Sequence, residues 1–547
     1  DVAAHLQVQV PKLDWKVMQL MDVPFRTSHQ FDVTFVSDLE KKYEVNASMT
    51  DTSVKAPKKT FQTKDLYVGF ATSVDSTKAY MRAGDLDVNF EGRGYVETLL
   101  AQVDAFTSRA GEQWTSKTIN QEELKTLLPG ICLKATSGND NPISNYLSMM
   151  QGVSFDKLYL DFDTSPEEGI NGEAFLYNMR TDSLLVDTIG IDLKHGDDGL
   201  DFLTEVISTA KPNQEAFEVN LDGNIGNGKA QLLLQYLNAR KEKGVYVGLN
   251  AALGRRGIRM KLFPENPILV YRPFYLNPRN YIYLADRGRF YGDVRLYDDQ
   301  GTGIHFYTNR EDTIADQEMT VELSRIDLKQ FKKVLPYLPD VEGWLGGSLH
   351  YVDSEGQMMF SADMNLDNFV YEKSPLGNWT MSGAYLPSDN NAHHVDGFIT
   401  YNDQEIIYMN GVYQANETGQ ENITGELELQ HFPLRVINPF IPEKMVAFTG
   451  DIDGTLSMTG SPMKPVLNGG LQLDSVLMIM PDMSVGFRFD NKQVKMQDSK
   501  MVFDKFNIYT RGETPFVVNG SVDFSDMEKM MVDLRMKTSN YELMNAP

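Results

Sequence analysis

The sequence predicts a mainly-β chain with short helices, in which antiparallel strands recur as repeats and give an elongated body. Three observations predict it: runs of strict apolar–polar alternation, glycine and proline breaks between those runs, and a strand-then-helix pattern that recurs along the chain. The stretch from Phe448 to Met480 shows the first two best. Ile452, Leu456 and Met458 share one parity in its first run, and Leu471, Leu473, Leu477 and Ile479 share one in its second. Gly460, Ser461 and Pro462 between them supply turn chemistry, because glycine tolerates positive φ and proline fixes φ while removing a donor.

From the N-terminus, the first strands alternate Phe31, Val33 and Phe35 with polar neighbours, then Leu66, Val68 and Phe70, with an exposed turn at Lys55-Ala-Pro-Lys-Lys. Leu86-Asp87-Val88-Asn89 closes a strand, and Val96, Leu99, Leu100 and Val103 follow at the spacing of one helix face. The same pattern is read after Ile191-Asp192-Leu193-Lys194, with Leu200, Leu203 and Ile207 as the helical stripe. It is read again after Ile326-Asp327-Leu328-Lys329, with Phe331, Val334, Leu335 and Leu338, and after Leu427 and Leu429, with Phe432, Val436 and Phe440. Asp87 and Asp192 lie 105 residues apart, and Pro336 and Pro439 lie 103 apart, so each repeat holds several strands and one short helix. Five segments are expected: 1–115, 116–215, 216–318, 319–422 and 423–547. Tandem closed β-domains would give the same pattern.

Two further helices are expected. Asn120 caps one three residues before Glu123, with Leu124, Leu127, Leu128 and Ile131 on its face. Asn141-Pro142 opens the other, which carries Ile143, Tyr146, Leu147 and Met150 and ends at Gly152. The proline- and aromatic-rich stretch from Phe263 to Tyr307 reads as a joint or as a loop packed through its rings. Beyond it the alternation is plain: Met319, Val321 and Leu323; Val485, Phe487 and Phe489; Val532, Leu534 and Met536. Sheets of this kind have one wet face and one that something must cover.

Composition narrows the function. With 76 acidic and 51 basic residues the net charge is −25, which argues against nucleic acid and against broad docking on anionic headgroups. Cys132 is the single cysteine, so neither an intramolecular disulfide nor a thiolate metal cluster is available. No stretch has the roughly 18 consecutive apolar residues of a spanning helix. No nucleophile elbow, phosphate loop or metalloprotease motif occurs, so no enzyme, catalytic residue or cofactor is expected. His393-His394 fall on opposite strand faces, and Asp451 and Asp453 lack the remaining spacing of a calcium loop and suit a strand's polar face.

The Phe448–Met480 stretch, the run SFDKLYLDFDTSPEEGINGEAFLYNMRTDSLLVDTIGIDL and the segment NPILVYRPF resemble the AsmA and TamB families, the TamB-like proteins of the Bacteroidota type above all. The resemblance is strongest over Ile143–Asp192 and Met319–Met544. It implies a curled β-sheet, or β-taco, whose concave face is an open hydrophobic groove. It also implies a periplasmic position, an inner-membrane anchor on a segment outside this sequence, and a β-barrel partner in the outer membrane. Under it, the alternating residues named in the strand runs from Met319 to Met536, fifteen of them with Ile452 left out, would line a groove for phospholipid acyl chains. Two functions are open: phospholipid transport between the membranes, or a scaffold that offers strand edges to outer-membrane proteins.

Overall fold

The computed structural model describes residues 1–19, 26–55, 60–181, 184–211, 215–309, 316–335, 338–388, 392–415, 421–441, 445–481, 485–510, 512–526 and 529–539. Strand accounts for 68 % and helix for 10 %, so the mainly-β expectation holds. The chain divides into two compact units, Asp1–Gly288 and Arg289–Pro547, with the boundary inside the aromatic stretch.

In the second unit each strand from Phe290–Tyr297 to Lys464–Met480 pairs antiparallel with the next in sequence. Residues directly opposed in a ladder lie on the same face, so register alone sorts the side chains. One row of opposed residues runs from Val294 through Phe306, Val321, Leu349 and Ala362. It continues through Met409, Leu427 and Leu456 and ends at Met501, Val522 and Val532. The positions between are glycine or methionine, and the row meets no polar side chain. The adjacent row carries Glu322, Ser348, Asp363 and Ser382 on the opposite face.

Strands this long drift in twist and register, and here a repeated β-bulge corrects them. The motif is an apolar residue, two polar ones and another apolar one: Leu323-Ser-Arg-Ile326, Leu366-Asp-Asn-Phe369, Leu429-Gln-His-Phe432, Leu473-Asp-Ser-Val476 and Phe503-Asp-Lys-Phe506. In every case the third residue adopts positive φ, between 47° and 54° at Arg325, Asn368, His431, Ser475 and Lys505. In four of the five the two polar residues oppose one residue across the ladder, and in the other Ser475 and Val476 oppose Gly450, so both flanking apolar side chains return to the same face. Each strand bears its bulge in its C-terminal half.

A left-handed, non-glycine residue costs about 1–2 kcal/mol and leaves its N–H outside the ladder. An Asn or Asp side chain collects that N–H in four of these cases. Asn368 N–H donates to Asn378 Oδ1 at 2.7 Å, His431 N–H to Asp453 Oδ1 at 2.7 Å, Lys505 N–H to Asn519 Oδ1 at 2.9 Å, and Ser475 N–H to Asn491 Oδ1 at 3.4 Å. The first unit repeats the device at Asp51, which has φ 51° and donates to Asp65 Oδ1 at 3.1 Å. Asp453 thus serves the backbone of the neighbouring strand, with His431 Nδ1 a further 3.1 Å from its second oxygen.

The first unit obeys the same parity. Its row runs from Leu6 through Val33, Ala47, Val68, Met81 and Val88. It crosses Ala135, Leu160, Ala174 and Ile191 and ends at Leu221, Leu234 and Val247, with Thr204 its one polar member. Three helices lie on this apolar side: α1 (Val96–Thr115), α2 (Gln121–Thr126) and α3 (Pro142–Gln151). Asn141 is fully buried and caps α3, accepting from Ser144 N–H at 2.9 Å, and Gly152 ends that helix in the left-handed conformation. Asn120 caps α2 by accepting from Glu123 N–H.

Several expected helices are different elements. Leu200, Leu203 and Ile207 lie in the strand Gly199–Ser208, because the period-2 set Leu200, Phe202 and Val206 pairs with strands on both sides and outweighs the helical spacing. Ile131 begins the strand Ile131–Ser137, and α2 ends before it. The third pattern shrinks to one turn, α4 (Leu328–Phe331), and the fourth to a 3₁₀ turn, Leu434–Phe440, with Phe432 still in its strand. Pro336 and the Ala56–Lys59 part of the lysine-rich turn lie outside the described residues. The turn after Ser461 is made by Pro462 and Met463, since Ser461 already pairs with Lys464 and Gly460 with Pro465.

If the side-chain acceptors stabilise the bulges, Asn519→Ala and Asp453→Ala each lower the unfolding free energy by about 1–3 kcal/mol, the usual cost of stranding a backbone donor. Asn519→Asp restores most of the loss. Denaturant unfolding of the three variants checks this.

Candidate apolar binding face

Much of the apolar parity keeps contact with solvent among the described residues. A compact monomer of 61.8 kDa would expose about 20,000 Å², and two separate compact halves about 24,000 Å². This chain exposes 33,020 Å². Part of the excess is apolar side chain on the inward parity: Ile225 is 50 % exposed, Met381 45 %, Phe360 42 % and Met409 41 %. Such large residues, recurring on one face within each unit, are apolar surface that water meets and does not solvate well.

The register brings all but two of the sequence-predicted lining residues together on this face. Met319, Val321 and Leu323 oppose Tyr351, Leu349 and Gly347. Leu456 and Met458 oppose Gly469 and Leu467, which share a parity with Leu471 and Leu473. Val485 and Phe487 oppose Met480 and Met478, and Phe489 opposes Ile508. Val532, Leu534 and Met536 oppose Val522, Gly520 and Val518. Leu473, Phe489 and Leu534 pack against the buried core of Val494, Phe506 and Val518.

Leu477 and Ile479 are the exceptions, and the bulge explains them. Positive φ at Ser475 shifts the strand by one residue, so Leu477 pairs with Thr449 and Arg488 and Ile479 with Ala447 and Gly486. Both lie on the polar side. Val476, 3 % exposed, and Met478 take their places beside Leu473. Simple counting of alternate residues carries across the bulge and assigns the wrong pair. His393 stacks on Tyr385 with centroids 4.8 Å apart, while His394 falls on the other face opposite Leu386 and Val412.

In the first unit α1 and α2 turn part of the apolar face into a cavity of about 550 Å³. Phe106, Trp114, Ile119, Leu124 and Leu128 form its roof, and Leu200, Ile225, Ala230, Ala251, Ile258 and Met260 its floor. The roof is pinned at several points. Leu99 of α1 is buried over Gly92, where a Cβ would lie 2.3 Å from Leu99 Cδ1. Gln113, 3 % exposed, donates to Glu123 and accepts from Asn120 N–H at 2.7 Å, while Arg109 spans Glu112 and Glu123. Gln121 of α2 accepts from Asn227 N–H at 3.2 Å and meets His195 Nε2 at 3.1 Å. Gly226 permits that approach, since a Cβ there would lie 2.7 Å from Gln121 Oε1.

With the Gln121 oxygen engaged by Asn227, its amide donates to His195 Nε2, and the ring's proton sits on Nδ1. Burial lowers the pKa of His195, and nearby Lys125 lowers it further against the opposite effect of Glu122. The ring is therefore neutral near pH 7. Lys125 also lines the cavity and makes no ion pair among the described residues. A smaller cavity of about 120 Å³ lies under α3, between Tyr146, Met149 and Met150 and the strands that carry Met49 and Val54. The sequence reading found all three helices and missed the chamber, although the small Ala230 and Ala251, opposed across their ladder, are its legible signal.

No protein-family model matches this chain, and neither a curated protein nor a solved structure matches it.

Single cysteines placed from Leu471 to Met480 in a Cys132→Ser background and tagged with a polarity-sensitive fluorophore test the bulge. Blue-shifted emission is expected at 471, 473, 476 and 478 and not at 477 or 479. An unbroken odd-numbered pattern would refute the register shift.

Proposed function

We propose that this chain is a non-enzymatic conduit that carries phospholipids across the periplasm between the inner and outer membranes. The observation that carries the reading is the half-exposed apolar face, kept on one side of each unit's sheet by every ladder and bulge described above. Acyl chains are as apolar as the side chains they would touch, and they ask for no fixed partner residue. The sheet would curl about that face into an open groove, with headgroups along its wet seam. The methionines on it, among them Met319, Met381, Met409 and Met458, suit chains of variable shape because their side chains are unbranched and polarizable. The resemblance of the sequence to AsmA and TamB points the same way.

Co-purification of several phospholipids per chain, seen by native mass spectrometry and lipid extraction, is the expected result. Met381→Asp and Met409→Glu place a charge on exposed positions of the face and so spare the fold, and each should lower the lipid load several-fold, because a carboxylate among acyl chains is strongly disfavoured. A lipid-free wild-type protein overturns the conduit and leaves the scaffold for outer-membrane proteins as the reading to pursue.

A further inference from the structure

We infer that the chamber under α1 and α2 is a discrete site for one single-chain anionic amphiphile, a fatty acid or a lysophospholipid. The inference rests on the reading that the apolar face holds acyl chains, and it adds a roofed station with a fixed stoichiometry and a headgroup preference.

Volume sets the first constraint. A methylene fills roughly the ~30 Å³ that a water molecule takes in the liquid, so a chain of sixteen to eighteen carbons fills about 500 Å³. The chamber offers about 550 Å³, enough for one such chain and too little for two. It also falls within the usual range of about 300–1,000 Å³ for small-molecule sites. Its room comes from the floor, where Ala230 faces Ala251 at positions that carry Leu232 and Leu249 one pair further along the same face. Large residues there would have closed the space and packed α2 directly on the sheet.

Charge sets the second. The chamber wall is mainly apolar; its polar members are Gln121, whose amide is spent on Asn227 and His195, Asn227 itself, and two lysines, Lys125 and Lys229. Lys125 stands out against it, a cation without an ion pair among the described residues in a chain of net charge −25. Neighbouring His195 stays neutral, and Lys125 with Lys229 gives the site positive charge beside an apolar slot. An anionic head on a single acyl tail is the complement of that arrangement. The roof is a hairpin of helices joined to the sheet through Leu99, Leu128 and Gln121, so the tail enters a space the protein has already formed.

The test is titration of the delipidated full chain with cis-parinaric acid, followed by competition with palmitate, a lysophosphatidylglycerol and hexadecyltrimethylammonium. One probe per chain is expected, displaced by the anions and not by the cation. Whichever anion competes better identifies the source of the head. Ala230→Trp and Ala251→Trp should weaken the probe at least about tenfold. Lys125→Glu, at a half-buried position without an ion pair among the described residues, should weaken the anions about tenfold and admit the cation. Far-UV circular dichroism and thermal unfolding confirm that each variant is folded. Should the probe bind with unchanged affinity in the folded tryptophan variants, or compete equally with the cation, the chamber site is overturned while the acyl-carrying face stands. Should the wild type bind neither probe nor phospholipid, both readings fall.

Discussion

A β-ladder ties the face of every side chain to register, and that constraint governs this molecule. In a sheet with one apolar side, a slip of one residue turns an entire strand's apolar set into water. Long, twisted strands invite such slips, and here the correction is built in at the C-terminal half of one strand after another. An Arg, Asn, His, Ser or Lys takes the left-handed conformation, its neighbours share one partner across the ladder, and the next apolar residue returns to the common face. In four of the five kinks the freed N–H is caught by Asn378, Asp453, Asn491 or Asn519. Local strain of about a kilocalorie per site thus keeps a whole unit in phase.

The helices follow from the same constraint. With no second sheet over it, an apolar face gains by covering itself wherever an amphipathic segment can reach. α1 reaches it through Leu99 in the notch at Gly92, and α2 through Gln121 and Leu128. Neither helix fills the space beneath, because the opposed Ala230 and Ala251 leave the floor low. Leu100, 63 % exposed, remains in water, so α1 is amphipathic only in part.

Much of this was legible in the sequence. Period-2 runs such as Met319-Val321-Leu323 and the caps at Asn120 and Asn141 translate directly, since each depends on residues within one turn or one strand. The spacing of Leu200, Leu203 and Ile207 misleads because Phe202 and Val206 between them also fit a strand, and only the partners on either side decide. Leu477 and Ile479 mislead for a different reason: parity is a property of the ladder, and a bulge resets it mid-strand. Once seen, the apolar-polar-polar-apolar motif can be read from residues alone, as in Leu473-Asp-Ser-Val476 and Phe503-Asp-Lys-Phe506. The chamber is harder to read: Ala230 and Ala251 hint at a low floor, but its roof comes from a segment more than a hundred residues away, as Asn227 and Gln121 are.

From Gly303 to Ser461 every strand finds its ladder partners immediately before and after it in the chain. Such a sheet has no seam where distant ends must meet, so loop-closure entropy is small at each step and strands can be added as they emerge. It also makes length an inheritable quantity. Duplicating or deleting one hairpin inserts or removes two strands, about 9.5 Å of sheet, and returns the chain to the same direction and the same face. Evolution could therefore tune the reach of this protein in steps of one hairpin, without redesigning anything on either side of the change.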